Sequence, residues 1–584
     1  MTDHSVGLPD APATGISSRA FWAHWLPRHG LRPSTAWAAA ALLWASLGVY
    51  FWEYEGEFFN VLFTVGVTAA LIAFVTLLYR RVLFASLIVV SAVAMTVAAA
   101  SAKHAAMNMV VHAYDLFFYL GSLPTVSYLW TEQPRYVVGA ACALFATALT
   151  AGLGYRIDGT RVARNRSAAA FGACALIAWY GATAKSERRH MQFYFENMYV
   201  SSFYASWGET VEAFWRGALL EAEPSSGVAP PLSIPTHCNT TERPPHIILI
   251  HQESVVQPSL FPTLGYDRSV DPFFRSADGT LRRLRVETYG GASWLTEFSL
   301  LAGVSTYSFG NMRQFVQIFM QNRLEDTLPQ ALKRCGFRNV VFYPMLKNFV
   351  SNDKFYNSIG LREIFDMRAQ RAKSAHERDR FYYDNTLAEM GRHFKASGKP
   401  LFAFVQTMSA HWPYDYAFAP EVDVPGGEPG TDPEMHEYLR RLSIAKMDYD
   451  YLVRELRRRF PHERFLIVHY GDHHPMATRT LLGYRSETEA EDVALDPESV
   501  GFVTYYAVQG VNYRVPTLPK HETLDVSYLG SLILELAGLP LSDAHRERLR
   551  LMALCEGRYY GCTRREEILR FHRRLIDAGI VAAR

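Results

Sequence analysis

The stretch Gly290-Gly291-Ala292-Ser293-Trp294-Leu295-Thr296-Glu297-Phe298 offers one hydroxyl where a glycine-rich turn runs into an apolar, helix-like segment. A serine N-cap would explain that position, and such caps stabilise a helix by about 1 kcal/mol. A nucleophile would explain it too, because glycines let the backbone approach a ligand and a helix start accepts an anion. Three other stretches bear on the choice. "HIILIH" is followed by Gln252-Glu253-Ser254, "LFAFVQTM" by Ser409-Ala410-His411-Trp412-Pro413, and "RFLIVHY" by Gly471-Asp472-His473-His474-Pro475. Each apolar run ends abruptly in groups that can bind a metal or move a proton. Glu, Asp and His are oxygen and nitrogen ligands for a divalent cation. Ser supplies a nucleophile and His a proton carrier. Singly, each has a plain alternative: a solvated loop glutamate, a packed histidine, a helix cap. As a set they fit catalysis better.

The elements that would position these groups are legible after residue 246. β-Branched runs at 246–251, 338–343, 401–408 and 464–470 read as buried strands, and "LRVETY" precedes the Gly-Gly turn. Helical stretches near 326–335, 380–396 and 433–459 lie between them. That alternation predicts an α/β domain with a mostly parallel sheet and helices on both faces. Such sheets gather their active sites at the carboxyl ends of the strands. Glu253, Ser293, His411 and Asp472-His473 are then expected on one edge.

The first half of the chain is a different material. Apolar runs at 34–52, 59–79, 82–101, 136–154 and 167–184 approach the ~20 residues needed to cross a bilayer. Cytoplasmic loops collect Lys and Arg. Arg19, Arg28 and Arg32, then Arg80 and Arg81, then Arg156, Arg161, Arg164 and Arg166 therefore belong on the inner side. This holds if the apolar segment 107–130, which carries His112 and Asp115, does not cross. Five crossings then place everything after residue 184 outside the cytoplasm, with the first span a retained anchor. The expected organisation is a cytoplasmic tail (1–33), a transmembrane domain (34–184), interfacial amphipathic helices and a linker (185–245), and an extracytoplasmic catalytic domain (246–584). A net charge of +2 gives no support for nucleic-acid binding. Of six cysteines, four lie in the external half, where Cys555 and Cys562 could close a short loop or remain thiols.

"IILIHQES", "GGASWLTEF", "TMSAHWPY" and "VHYGDHHP" together resemble the motifs of the lipoteichoic acid synthase and phosphoglycerol (phosphoethanolamine) transferase family, within the alkaline phosphatase/sulfatase superfamily. The order of membrane spans, surface linker and α/β domain is similar as well. The resemblance implies that Glu253, Ser293, Asp472 and His473 hold one divalent ion: manganese, magnesium or zinc. It places Ser293 where the family usually has a threonine nucleophile, and His411 near the transferred phosphate. It implies a phospholipid donor, a covalent headgroup intermediate on Ser293, and an extracytoplasmic glycan or glycolipid acceptor, at an inner membrane facing the periplasm.

The likeness breaks between Phe342 and Tyr356, "FYPMLKNFVSNDKFY". Where lipoteichoic acid synthases carry a His, a Trp and an Arg toward glycerol phosphate, this chain has Tyr343, Val350 and Asn352. Lys347 and Asn348 are candidate replacements. Phosphoethanolamine and phosphoglycerol both stay open as headgroups. Sulfatase chemistry is disfavoured, because Ser293 is followed by Trp-Leu-Thr-Glu and not by the C/S-x-P-x-R pattern that is converted to formylglycine. A phosphodiesterase-type hydrolase and a silent, membrane-anchored glycan assembly protein remain the alternatives.

Overall fold

The computed structural model describes residues 30–582 apart from 57, 108–109, 119–122, 185–197, 217–219, 225–230, 239, 241, 350–351, 425–431 and 484–497. Most of the N-terminal tail, the start of the aromatic 190–223 segment, part of the linker and Val350 lie outside the described residues. The chain divides into two compact units, 1–97 with 138–186, and 98–137 with 187–584.

The first unit is helical. Among the described residues, four helices are long and apolar enough to cross a membrane: α1 (Pro33–Tyr54), α2 (Phe58–Tyr79), the first part of α3 (Val82–Met107), and Pro134–Ile157. The fifth expected span is a helix too, Arg164–Thr183, but it is not among these four. It packs closely along α2. A Cβ on Gly66 would lie 2.6 Å from the Ala178 backbone nitrogen, and one on Gly181 would lie 2.7 Å from that of Phe63. Small residues allow this approach, which lets dispersion act between backbones. The three arginine-bearing segments expected on one side do meet within this unit. The Leu31 N–H donates to Ile157 O (2.6 Å), the Val162 N–H to Arg80 O (3.0 Å), and Arg81 to Asp158 O (2.8 Å).

In the second unit the 107–130 segment contains two short helices, Ala113–Phe118 and Leu123–Glu132, neither long enough to cross. Asp115 is paired, accepting from Lys103 Nζ at 2.8 Å and from the His112 N–H at 2.7 Å. The aromatic segment contributes the helix Tyr199–Arg216, which packs on Ala113–Phe118: Ser206 Oγ accepts from the Ala113 N–H at 2.9 Å.

The α/β domain carries one eight-stranded sheet among the described residues. Its strands are β1 (His246–Gln252), β2 (Arg282–Arg285), β3 (Arg338–Phe342), β4 (Glu363–Phe365), β5 (Leu401–Gln406), β6 (Phe465–Gly471), β7 (Val503–Val511) and β8 (Thr523–Asp525). The spatial order is β4-β3-β5-β1-β6-β7-β2-β8. β7 pairs antiparallel with both β6 and β2, and the other pairings are parallel. β1, β5 and β6 are buried along their whole length, as strands covered on both faces must be. β2 ends at Arg285, earlier than "LRVETY" suggested, so an irregular segment of seven residues, 286–292, leads to Ser293. Two disulfides brace the domain, Cys555–Cys562 and Cys238–Cys335. The second joins positions 97 apart, a pairing not legible in the sequence.

Candidate metal and phosphoryl-transfer site

The central pair β1 and β6 builds the site. Gly471 closes β6, and a Cβ there would lie 1.8 Å from Val255 O. Glycine therefore lets the 254–256 turn fold over the end of β6. That turn brings the Ser254 N–H to Asp472 Oδ1 at 2.8 Å, with Ser254 at φ +58°. Glu253 is thereby set beside Asp472. The nucleophile arm has a matching kink, with Gly290 at φ +72° and Ala292 at φ +60° just before Ser293. Left-handed non-glycine residues carry strain of about 1–3 kcal/mol and cluster at functional sites. Here they sit directly beside Glu253 and Ser293. Gly291, in contrast, has open space where a Cβ would go, so close approach does not account for both glycines.

Ser293 stands at the N-terminus of α9 (Trp294–Ala302, counting α9 in chain order after the eight helices from Pro33 to Arg216) but makes no side-chain cap. Its Oγ donates instead to Glu253 Oε2 at 2.9 Å and lies 3.3 Å from His473 Nε2. The capping alternative therefore fails. The helix is held to the sheet by Thr296, whose hydroxyl donates to Asp472 O at 2.8 Å.

His473 Nδ1 donates to its neighbour's carbonyl, His474 O, at 2.8 Å. This turns Nε2 toward Glu253 Oε1 at 3.1 Å and Asp472 Oδ2 at 3.3 Å. His251 enters from β1, with Nε2 3.1 Å from Asp472 Oδ2 and 3.6 Å from Glu253 Oε2. His251 Nε2 and Asp472 Oδ2 are both buried, yet neither has a well-directed hydrogen bond. Polar atoms that crowd one point without pairing are arranged as ligands around a third body. Ligand atoms of His251, Glu253 and Asp472 lie within 4.8 Å of one another. Two carboxylates, imidazole nitrogens and a hydroxyl fit a divalent cation.

The electrostatics agree. Burial opposes charge on His251, but Asp472 and Glu253 outweigh it and raise its pKa to about 10. The same contest raises His473 to about 9. Burial would raise Glu253, but the adjacent His251 and His473 rings hold it well below the usual carboxylate range. The pocket attracts positive charge, and protons take it where no ion competes.

Residues 245–497 match the family model described as Sulfatase. An uncharacterized protein of Haemophilus influenzae is 23% identical over 344 residues, which cover 54% of this chain and 58% of that one. The chain thus spans little more than half the length of this relative. Among solved structures, the Streptococcus pyogenes phosphoglycerol transferase GacH in complex with sn-glycerol-1-phosphate is 15% identical, with TM-score 0.46 over 58% of this chain and 87% of that one. The Neisseria meningitidis lipooligosaccharide phosphoethanolamine transferase EptA, an integral membrane protein, is 14% identical, with TM-score 0.47 over 85% of this chain and 95% of that one.

Within the matched segment, Glu253, Ser293, Asp472 and His473 come together in one cluster. His411 lies on the loop that follows β5. His251, the last residue of "HIILIH", belongs to the cluster itself. Its signal was its place two residues before Glu253, since alternate residues share a face of a strand. His474 does not belong: its ring nitrogens meet Val503 O at 2.7 Å and Thr478 Oγ1 at 3.2 Å. His469 is core, bonded to Tyr505. His376 was not singled out, yet its ring centroid lies 4.7 Å from that of His411. Asp379 stitches their two loops together. Its Oδ1 accepts from the Met408 N–H (3.1 Å) and the Ser409 N–H (2.8 Å), and its own N–H donates to Ser409 Oγ (2.9 Å). In the divergent stretch, Tyr343 and Asn352 are buried and bonded to each other at 2.8 Å. Lys347 is exposed.

Proposed function

We propose that this protein is a membrane-bound, metal-dependent phosphotransferase that moves a phospholipid headgroup, phosphoglycerol or phosphoethanolamine, through Ser293 onto an extracytoplasmic glycan or glycolipid. The observation that carries it is the Ser293 hydroxyl, turned away from its helix and into the Glu253–Asp472–His473–His251 cluster. Glu253, Asp472, His473 and Ser293 would hold the divalent ion, with His251 beside them. Bound there, the ion would lower the pKa of a coordinated hydroxyl and offset phosphoryl charge.

The protein's own residues account for the rest. Ser293 Oγ forms a bond to the donor phosphorus as the bond from phosphorus to the diacylglycerol oxygen breaks. The serine proton leaves along the hydrogen bond to Glu253, and His411 protonates the departing alkoxide. In the second step an acceptor hydroxyl attacks the same phosphorus and gives its proton to His411, and Ser293 Oγ recovers its own. The apolar helices support a location in the inner membrane, where the donor resides, with the catalytic domain in the periplasm. The domain organisation, 34–184 in the membrane and 246–584 outside, completes this reading.

The test is incubation of the full chain with divalent metal and, separately, phosphatidylglycerol and phosphatidylethanolamine, followed by intact-mass measurement. A mass increment on Ser293 is expected, and its size identifies the headgroup. Ser293→Ala should lose the increment and diacylglycerol release by on the order of a thousandfold or more while remaining folded. Full activity in that variant would end the mechanism.

A further inference from the structure

We infer that Trp412 and Tyr416, on the loop that carries His411, form a stacking platform for a sugar ring of the acceptor. This rests on the transfer reading above and deepens it. Among the described residues from 246 on, the strongly exposed large apolar or aromatic side chains are Trp412, Tyr416, Met447 and Val500. Trp412 is 56% exposed and Tyr416 is 43% exposed, and the two lie within five residues of His411. Such rings are normally buried for their large contact area.

The loop beneath them is rigidly built. Arg441 is 1% exposed, and its guanidinium donates to His411 O (2.6 Å), Pro413 O (2.8 Å) and Tyr416 O (3.1 Å). The same group lies over the rings of Tyr414, Tyr416 and Phe418, and its charge is met by Glu437 at 2.8 Å. Arg440 continues the hold, donating to Phe418 O (2.5 Å) and Ala419 O (2.9 Å). Two arginines thus fix the backbone, with Arg441 backing one face of Tyr416 while the Trp412 and Tyr416 side chains stay exposed. Pre-organised aromatic surface of this kind binds with little loss of conformational freedom.

The surroundings favour a glycan over a bilayer. Residues 411–424 contain Asp415, Glu421 and Asp423 and no Lys or Arg. Anionic lipid surfaces attract basic segments and repel acidic ones. A pyranose presents C–H groups to an aromatic face and hydroxyls to neighbouring carboxylates and imidazoles. The loop supplies both, and it goes on to wall a cavity of about 440 Å³ lined by Tyr266, Asp267, Glu421, His436 and Arg440.

The test uses the full chain in detergent with a mixture of α- and β-linked gluco-oligosaccharides as the probe. Saturation-transfer NMR should show sugar-ring protons contacting the protein. Trp412→Ala and Tyr416→Ala should weaken that binding at least tenfold, and Trp412→Phe should restore most of it. No binding by the wild type, or binding unchanged in both alanine variants, overturns the platform. Headgroup loading of Ser293 is measured alongside. Failure of the wild type to load counts against the transfer reading and leaves the binding result to judge the platform. A loss of loading in Trp412→Ala as large as its loss of transfer would assign the rings to the lipid donor and overturn the inference. Retention of an envelope protein in place of the oligosaccharides would overturn it as well.

Discussion

At the scale of single residues, the site is defined by where hydrogen bonds are missing. Buried polar groups are nearly always paired, yet His251 Nε2 and Asp472 Oδ2 face each other 3.1 Å apart without a well-directed bond. An ion between them resolves that. His251→Gln should therefore weaken metal binding by about 10–100-fold, as changes to groups around a metal do, measured by isothermal titration of the metal-stripped protein. Unchanged affinity would reduce His251 to a packed strand residue. Asp379 illustrates a different pressure. Burial, then the nearby Asp448, raises its pKa to about 7, against about 3.9 in an unfolded chain. The folded state thus holds the proton more tightly between about pH 4 and 7, so the stability this group contributes falls as pH rises through that window. The slope is at most about 1.4 kcal/mol per pH unit. Asp379→Asn keeps an oxygen for the Met408 and Ser409 N–H groups and should flatten that decline in thermal melts taken from pH 5 to 8. An unaltered pH profile would show that Asp379 titrates normally.

At the scale of elements, close contact explains what side chains do not. The α2 and Arg164–Thr183 helices meet at Gly66 and Gly181, where any Cβ would press on backbone. Gly181→Leu should lower the melting temperature of the detergent-solubilised chain by several degrees. Gly48→Leu, with nothing within 4 Å of its Cβ, should not. Equal melting temperatures would mean the two helices do not depend on this approach. The strands β1, β3, β5 and β6 were legible because each is a buried apolar run with turn residues at its ends. The antiparallel β7 was not, since "VTYYAVQGV" follows a long polar stretch and carries no signal of direction. The site residues after β1, β5 and β6 were legible for the same reason as their strands. His376 was not, because its loop has no periodicity and only the Asp379–Ser409 stitch brings it to His411.

At the scale of the whole molecule, the two halves use different supports. The apolar helices rely on small-residue contacts, and the α/β domain relies on a buried sheet with two disulfides. Closing a loop of about 100 residues is worth up to ~4.7 kcal/mol in the chain-entropy account. Replacing both Cys238 and Cys335 by Ala should destabilise the α/β domain by about 2–4 kcal/mol, read from denaturant unfolding followed by a probe in that domain. A change below about 0.5 kcal/mol would show that the bridge adds nothing to folding.

That bridge also governs how the domain can be shed. Cys238 lies just ahead of β1, and its partner Cys335 lies beyond the nucleophile, so the covalent link encloses Glu253 and Ser293. A protease nick anywhere between 239 and 334 leaves both fragments tethered until a reductant arrives. A cut on the N-terminal side of Cys238 breaks the covalent link to the apolar helices with the ligand set intact, and leaves contacts such as the Glu221 N–H to Ser308 O and the Glu223 N–H to Leu569 O as the remaining ties. Covalent separation of the α/β domain from the apolar helices therefore needs a cut before Cys238, because one within 239–334 does not achieve it.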